Sequence, residues 1–186
     1  MDRSRRAILS AARRQLEARG YRQMTMGSLA AESGVTRQTI HNLFGTKVAV
    51  LEALFDTIAL DGGMERMRDV MTQPSAEQML EGFVGVFCGF WASHRMLIRR
   101  IHGIGAIDPE LGAVIEARNR RRLSAATRIA QRIGGGLDAE DRAASLAALT
   151  SFECFDALAE STRDETRAGA FVAEMVKTIC AGWAKG

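Results

Sequence analysis

Residues on which several protein classes depend are scarce in this chain. Its 186 residues contain three cysteines, two prolines and one tyrosine, and aromatic residues make up 6% of the total. Cys88, Cys154 and Cys180 are far apart and lie in apolar stretches. An odd, scattered set of this kind indicates reduced core thiols rather than a disulfide framework, although a redox switch at one of them stays open. No Cys-x-x-Cys pair or metal-spaced His/Cys cluster occurs, so we expect neither a metal site nor a cofactor.

Long apolar runs and catalytic motifs are also missing. No apolar stretch is long enough to cross a bilayer, and the N-terminus opens Met-Asp-Arg-Ser-Arg-Arg with no apolar run behind it. We therefore expect a cytoplasmic protein with no membrane partner. The sequence has no nucleophile elbow, no glycine-rich phosphate loop after a strand and no paired-carboxylate motif. A Cys-His hydrolase using Cys88 with His94 or His102 is the enzymatic alternative. Apolar surroundings suppress the reactivity of a thiol, so we expect that the protein is not an enzyme.

Helix-forming residues dominate the chain. Hydrophobic residues make up 47% of the sequence, Ala, Leu, Arg, Glu and Met are frequent, and strand patterns are sparse. This composition predicts an all-α fold, and the length suffices for one small module and one helical bundle.

The most informative stretch is residues 25–47, which predicts two short helices joined by a tight turn. Gly34 suits the turn because glycine tolerates positive φ at no steric cost. Thr36 is placed as the N-cap of the second helix, and Thr46 as the cap of the next one. The apolar residues expected to face inward are Leu29, Val35, Ile40 and Leu43. The pattern is typical of a helix-turn-helix, although a helical hairpin with a merely solvated polar face has the same spacing.

The outward face of the second helix carries side chains that can contact nucleic acid. Arg, Gln and Asn can make bidentate contacts with base edges in the major groove, whereas Thr and Lys suit phosphates. Lys47 lies in the first turn of the next helix, close to the positive end of its dipole. The candidate DNA-binding residues are Thr25, Thr36, Arg37, Gln38, Thr39, His41, Asn42, Thr46 and Lys47.

Charge is distributed unevenly along the chain. The net charge is +3 overall. Residues 1–50 contain nine Lys or Arg against three Asp or Glu, a net of +6, and the remaining residues carry a net of −3. Phosphate neutralisation supplies most of the non-specific affinity for DNA, so a cationic segment of this kind indicates the contact surface.

Residues 1 to about 50 resemble the DNA-binding domain of the tetracycline-repressor (TetR) family of bacterial transcription regulators. The matching positions are Arg6 to Leu9, Ala11-Ala12, Gly20-Tyr21, Thr25, Leu29-Ala30, Gly34-Val35, Thr39-Ile40, Phe44 and Gly45 to Lys47. The resemblance implies a helix-turn-helix domain, 1–48, linked by a fourth helix to an effector-binding and dimerisation bundle, 49–186, with about nine helices in total. It also implies a homodimer on a near-palindromic DNA operator, commonly as a repressor, and release from DNA by a small-molecule effector.

Two positions depart from the family pattern. His41 stands where the family usually has a Tyr that contacts a DNA phosphate. A histidine cation pairs with phosphate, which predicts DNA binding that strengthens below about pH 6.5, where an ordinary histidine becomes charged. The departure also leaves open a helical ligand-binding protein that has lost or altered its DNA binding. Gln38 replaces a commonly small residue and is long enough either to reach a base edge or to lie along the backbone.

The second part of the chain predicts a series of longer helices. We expect one from Thr46 to about Met71, weakened at Gly62-Gly63. A Ser75–Gln78 capping box opens a helix to about His94, the segment Met96–Ile107 follows, and Asp108-Pro109 begins another helix. That helix contains the basic run Arg118 to Arg122, which we interpret as a solvated face. Asp138 is placed as the cap of a helix over 139–161, and Thr162–Glu165 as a capping box that opens the last helix.

The last two helices carry more apolar surface than one subunit needs. The final helix has an apolar stripe, namely Ala168, Phe171, Val172, Met175, Val176, Ile179, Cys180 and Trp183. The helix before it is apolar on more than one side. This pattern favours a homodimer through the last two helices, with a buried hairpin inside one chain as the alternative.

Bulky apolar residues in the second part are candidates to line an effector cavity, because a pocket needs apolar bulk and few polar anchors. The candidate lining residues are Phe83, Phe87, Phe90, Trp91, Ile101, Ile104, Phe152, Phe155 and Met175, with His102 and Glu153 as polar anchors for an apolar or amphipathic effector. Each of them is also an ordinary core residue.

Overall fold

The computed structural model describes residues 3–134 and 138–183, and the regular secondary structure of this part of the chain is all helical, with no β-strand. The helices are α1 (Arg3–Arg19), α2 (Met26–Ser33), α3 (Arg37–Phe44), α4 (Lys47–Asp61), α5 (Met67–Val70), α6 (Ala76–Gly105), α7 (Pro109–Ile133), α8 (Ala139–Leu149), α9 (Phe152–Thr162) and α10 (Glu165–Trp183). Short 3₁₀ turns lie at Tyr21–Gln23 and Met64–Arg66. The all-α prediction is confirmed, with ten helices in the described residues where about nine were expected.

The chain divides into two compact units. The first falls within Met1–Ile58 and Arg99–Glu116, and the second within Ala59–Ile98 and Ala117–Gly186. The division falls inside α4, α6 and α7. The first unit therefore contains the three N-terminal helices and most of α4, together with the end of α6 and the start of α7. The predicted domain boundary at residue 48 stays a prediction.

Gln15 connects α1 to α2 in the first unit. Its side chain is 3% exposed, its Nε2 donates to Glu32 Oε2 at 2.7 Å, and its Oε1 accepts from Ser28 Oγ at 2.7 Å. Arg14 Nε donates to the other oxygen of Glu32 at 2.7 Å. Because every polar atom of the buried amide has a partner on α2, the two helices are held in one register without an unsatisfied group.

The start of α7 belongs to the same unit and is closely packed there. Asp108 is buried, and its Oδ1 accepts from the backbone N–H groups of Glu110 and Leu111 at 3.1 and 3.2 Å, which caps the helix. A Cβ placed on Gly112 would lie 2.8 Å from the backbone oxygen of Gly105. Glycine is therefore needed where the end of α6 meets the start of α7.

The core of the second unit is built from α6, α7 and the last three helices. Phe83, Phe155, Leu146 and Val172 are fully buried at its centre. Arg95 of α6 makes three ion pairs around this core, to Asp156 at 2.8 Å, Glu160 at 2.9 Å and Glu165 at 3.2 Å. One guanidinium thus connects α6 to both α9 and α10.

Two of the predicted helix boundaries in the first half need adjustment. The fourth helix ends at Asp61 rather than near Met71, because Gly63 adopts a left-handed φ of 75° and a 3₁₀ turn and the short α5 follow. This outcome confirms the expected weakening at Gly62-Gly63. The predicted break after His94 is only a kink, since α6 continues to Gly105 across a non-helical φ of −130° at His94.

The predicted helix over 139–161 is two helices, so that prediction is wrong. The backbone oxygen of Thr150 accepts from Trp91 Nε1 at 3.0 Å, which occupies a carbonyl that a continuing helix would use. Ser151 then caps α9 by accepting from the N–H of Cys154 at 3.1 Å. The break keeps the indole donor satisfied inside the core.

The capping box predicted at Thr162–Glu165 is also wrong. The hydroxyl of Thr162 donates back to Leu158 O at 2.8 Å, so it terminates α9 instead of opening α10. Asp164 caps α10, because its Oδ1 accepts from the N–H groups of Thr166 and Arg167 at 2.9 and 3.0 Å. Asp138 caps α8 as predicted, with two bonds of 2.8 Å to Glu140 N and Asp141 N.

Candidate DNA interface

Helices α2 and α3 form two short helices joined at a left-handed glycine. Gly34 has φ of 71° and ψ of 21°, and its N–H donates to Ala30 O, as expected for a glycine that ends a helix. Thr36 accepts from Thr39 N at 3.1 Å and caps α3. Thr25 and Ser28 form a reciprocal capping box at the start of α2, with bonds of 2.9 and 3.0 Å. The local structure therefore follows from the caps and the turn.

The apolar and polar residues of this hairpin are separated as predicted. Leu29 and Ile40 are fully buried, while Val35 and Leu43 are half-buried. Among the nine candidate contact residues, Thr25, Thr36, Arg37, Gln38, His41, Asn42 and Thr46 are exposed, and Thr39 and Lys47 are half-buried. Helix α3 thus offers a polar face that no described part of the chain covers.

Gln38 and Asn42 are joined on that face. Gln38 Nε2 donates to Asn42 Oδ1 at 2.8 Å, one helical turn apart. The pairing leaves the carbonyl oxygen of Gln38 and the amide nitrogen of Asn42 available to bind a base. The first is a hydrogen-bond acceptor and the second a donor, and the bond between the two side chains fixes their relative positions. An amide acceptor and donor suit the N6 and N7 groups of an adenine edge.

Arg37 lies across the start of α2. A Cβ placed on Gly27 would lie 2.5 Å from Nη2 of Arg37, so any larger residue at position 27 displaces the guanidinium. Nothing in the sequence pattern pointed to Gly27. Its role becomes visible only when α2 and α3 are placed side by side.

Lys47 makes two contacts with Tyr21 that the sequence did not predict. Thr46 caps α4 as predicted, with Ala49 N donating to its Oγ1 at 3.1 Å. The Nζ of Lys47 lies 3.7 Å from the centre of the Tyr21 ring and donates to Tyr21 O at 3.4 Å. Arg5 stacks in a similar way on Phe44, 4.7 Å from the ring centre. Neither aromatic partner was predicted, because cation–π pairs link residues far apart in sequence.

The positive charge of residues 3–50 is largely uncompensated. Glu17 pairs with Arg13 at 3.1 Å, and Glu32 pairs with Arg14 at 2.7 Å. The hydrogen bond from Gln15 and then that from Arg14 hold the pKa of Glu32 below its ordinary value. Arg3, Arg6, Arg19, Arg22 and Arg37 remain exposed. With Glu17 and Glu32 paired, residues 3–50 present a surplus of cations to a polyanion.

Comparison with known proteins agrees with this geometry. Residues 8–54 match the model of bacterial regulatory proteins of the TetR family. Residues 8–54 therefore form a DNA-binding domain of the TetR type. The chain is a transcriptional regulator that carries this helix-turn-helix domain. No curated protein matches the sequence.

Solved structures share the fold over nearly the whole chain. FadR from Bacillus subtilis in complex with stearoyl-CoA is 19% identical, with a TM-score of 0.68, and the match covers 92% of this chain and 96% of FadR. A candidate transcriptional regulator from Saccharomonospora viridis in complex with choline is 18% identical, with a TM-score of 0.66 and coverage of 93% and 95%. A TetR transcription regulator from Haloarcula marismortui is 15% identical, with a TM-score of 0.65 and coverage of 97% of each chain.

The residues predicted to line an effector cavity lie in both units of the chain. Ring centres of Phe83 and Phe87, of Phe90 and Trp91, and of Trp91 and Phe152 are 4.9, 4.9 and 5.5 Å apart in the second unit. Phe155 is buried in the same core, Met175 is half-buried against it, and Glu153 is exposed at the start of α9. Ile101, His102 and Ile104 lie in the first unit. Their assignment as effector ligands stays a prediction.

The three cysteines do not offer a reactive thiolate. Burial raises the pKa of Cys88 to about 12 and that of Cys180 to about 11, and it also raises the pKa of Cys154. A thiol with a raised pKa is a poor nucleophile at neutral pH. Among the described residues there is no cluster of His, Cys, Asp and Glu that could hold a metal ion, and no helix is long and apolar enough to cross a membrane.

Proposed function

We propose that this TetR-family regulator is a repressor that binds a near-palindromic operator as a homodimer and is released by a small molecule. The observation that carries the proposal is the exposed polar face of α3, with Gln38 and Asn42 paired at its centre. The DNA-binding part is assigned to residues 1–48, and effector binding and dimerisation to residues 49–186.

DNA reading is assigned to the face of α3, and backbone positioning to its surroundings. Gln38 and Asn42 contact base edges, because their free amide atoms form an acceptor–donor pair. Arg37 is free to reach a guanine or a phosphate, while Thr25, Thr36, Thr39, His41, Thr46 and Lys47 contact phosphates. His41 makes the phosphate contact pH-dependent, which a comparison of wild type with His41→Tyr from pH 5.5 to 8 tests. Identical pH slopes for the two proteins would contradict this role.

Dimerisation is assigned to the last two helices. Phe171 and Ile179 of α10 are 41% and 37% exposed, and Met175 lies between them at helical spacing. We name Phe171, Met175 and Ile179 the α10 ridge. Two exposed bulky side chains on either side of the half-buried Met175, in a row at i, i+4 and i+8, favour packing against the same row of a second copy about a two-fold axis. Two α3 helices would then meet half-sites one helical turn, or a multiple of it, apart.

Effector control is assigned to an equilibrium between two shapes of the subunit, which place the recognition helices at different spacings. A ligand that binds better to a subunit shape with the wrong spacing of recognition helices lowers DNA affinity by its differential binding energy, about 1–3 kcal/mol in typical allosteric proteins. The complexes of FadR with stearoyl-CoA and of the Saccharomonospora viridis protein with choline support a small-molecule effector for this fold.

Selection of bound sequences from random duplex DNA tests the proposal. Enrichment of an inverted repeat supports base reading and dimer symmetry together. Asn42→Ala is expected to weaken the enrichment and to relax it at the base that this residue contacts, whereas Glu140→Gln, an exposed change on α8 outside the interface, is expected to leave it intact. Wild-type selections that return no shared motif would contradict the regulator and favour a helical ligand-binding protein with lost or altered DNA binding.

A further inference from the structure

A large groove between α6 and α10 is left unused by the function proposed above. Its volume is about 830 Å³, within the usual range for small-molecule sites. Leu80, Val84 and Cys88 of α6 line one wall, and Val176 and Cys180 of α10 line the other. All of these residues belong to the second unit. The site is distinct from the cluster of aromatic rings predicted to bind the effector, since none of those residues lines it.

The groove exists because small residues line it. Gly85 on α6 and Gly169 and Ala173 on α10 all lie along it. A Cβ placed on Gly85 would meet no atom within 4 Å, so this position opens directly into free space. Cys88 is 8% exposed and, because burial raises its pKa, it presents a neutral thiol to the groove. The interior is thus apolar and uncharged, as a site for a hydrophobic ligand requires.

Carboxylates surround the apolar interior. Glu77 and Glu81 lie one helical turn apart on α6, and Glu174 lies on α10. Within residues 3–134 and 138–183, no hydrogen bond or ion pair is formed by any of these three side chains. Lys177 is the one basic residue among those that line the groove. Three acidic groups against one basic group favour a ligand that carries positive charge.

The groove and the α10 ridge lie on different sides of α10. Ala173 and Lys177 line the groove, whereas the ridge positions Phe171, Met175 and Ile179 are offset from them by two residues, about 200° around the helix. A dimer formed through the ridge therefore leaves the groove accessible to a ligand.

We propose that the α6/α10 groove binds lipophilic organic monocations, with the apolar body between α6 and α10 and the charge at Glu77, Glu81 and Glu174. The claim that this groove is the effector site rests on the proposed function. The claim that the groove binds such cations rests on the groove alone. Cation binding measured on the full chain without DNA therefore tests the binding site separately from the proposed function.

Tetraphenylphosphonium and tetraphenylborate are suitable probes because they have nearly the same size and shape and opposite charges. Isothermal titration calorimetry on the wild-type chain is expected to show saturable binding of the phosphonium and at least tenfold weaker binding of the borate. Glu77→Gln combined with Glu81→Gln is expected to weaken phosphonium binding roughly three- to tenfold, since each carboxylate contributes a screened attraction at the surface. Glu140→Gln is the charge control and is expected to change nothing.

Gly85→Phe tests whether the phosphonium ion binds in the α6/α10 groove. The ring enters open space and replaces a helix-interior glycine, so the variant is expected to fold, and it is expected to abolish phosphonium binding. Gly103→Phe is the matched control, because Gly103 lies on the same helix, has no atom within 4 Å of its added Cβ and does not line the groove. Equal binding of both ions, no binding of the phosphonium, or binding that survives Gly85→Phe would each overturn the proposal. Binding that leaves DNA affinity unchanged would keep the site and overturn its effector role.

Discussion

The hydroxyl of Tyr21 donates a hydrogen bond of 2.7 Å to Oε2 of Glu110. Tyr21 is buried just after α1, and Glu110 lies in the first turn of α7, 89 residues further along the chain. The bond ties the helix-turn-helix segment to the start of α7 within one compact unit. Burial, followed by the hydrogen bond and charge of Glu110, raises the pKa of Tyr21.

Tyr21→Phe is expected to lower the free energy of unfolding by about 1 kcal/mol, because it removes one hydrogen bond and leaves the carboxylate without that donor. Urea unfolding followed by circular dichroism measures the effect. An unchanged unfolding midpoint would contradict the role given to this bond.

The same tyrosine gives an optical test, because it is the only one in the chain. Its pKa is raised in the folded state, so folding stability is fully present below the ordinary value of 10.0 and falls as the pH rises above it. Absorbance at 295 nm is expected to show no tyrosinate in the folded protein near pH 10, and ionisation there after unfolding in urea. Ionisation of the folded protein near pH 10 would argue against a buried, hydrogen-bonded phenol.

Glu32 makes folding stability depend on pH in the opposite direction to Tyr21. Hydrogen bonds from Gln15 and Arg14 lower its pKa, so its contribution to stability is present above the ordinary value of 4.5 and is lost as the pH falls below it. Glu32→Gln is expected to flatten the loss of stability between about pH 4.5 and 3 relative to wild type. Denaturation midpoints measured across this range check the prediction, and parallel curves for the two proteins would refute it.

Arg95 connects α6 to three carboxylates on or next to α9 and α10. Arg95→Met is expected to lower the free energy of unfolding by about 2 kcal/mol, because it leaves the half-buried Asp156 without its cation. Arg100→Met, a change of the same type at an exposed position of α6, is expected to stay within about 0.5 kcal/mol. Equal effects of the two substitutions in thermal or urea unfolding would contradict the account.

The α10 ridge gives a prediction about assembly. Phe171→Glu combined with Ile179→Glu is expected to convert a dimer into a monomer in sedimentation velocity, because four like charges would face one another across the two-fold axis. Leu123→Glu, at another exposed apolar residue, is the control and is expected to leave the dimer intact. A wild-type monomer at micromolar concentration, or a double variant that remains dimeric, would remove the ridge from the interface.

The first fifty residues could be predicted well because their structure is local. Thr36, Thr46 and Gly34 each set a helix end through bonds within four residues, and the sequence shows such signals directly. The break at Thr150 could not be predicted in this way. It depends on Trp91, 59 residues away, which takes the carbonyl of Thr150.

The candidate sites also combine features that local sequence predicts with features that depend on distant contacts. The exposed polar face of α3 follows from helical spacing, whereas Lys47 on Tyr21 and Arg37 on Gly27 require the packed helices. The groove between α6 and α10 was not predicted either. Half of its lining residues are Gly, Ala or Val, and small residues give no signal in a search for bulky cavity walls.

The most direct test of the central claim is the affinity of the chain for its selected DNA duplex, measured by fluorescence anisotropy at fixed salt. Gln38→Ala and Asn42→Ala are each expected to cost about 1–3 kcal/mol on the selected sequence and little on an unrelated duplex. Glu140→Gln is expected to bind both duplexes as wild type does. If the two alanine variants bind the selected duplex with wild-type affinity, the face of α3 does not read DNA and the account fails.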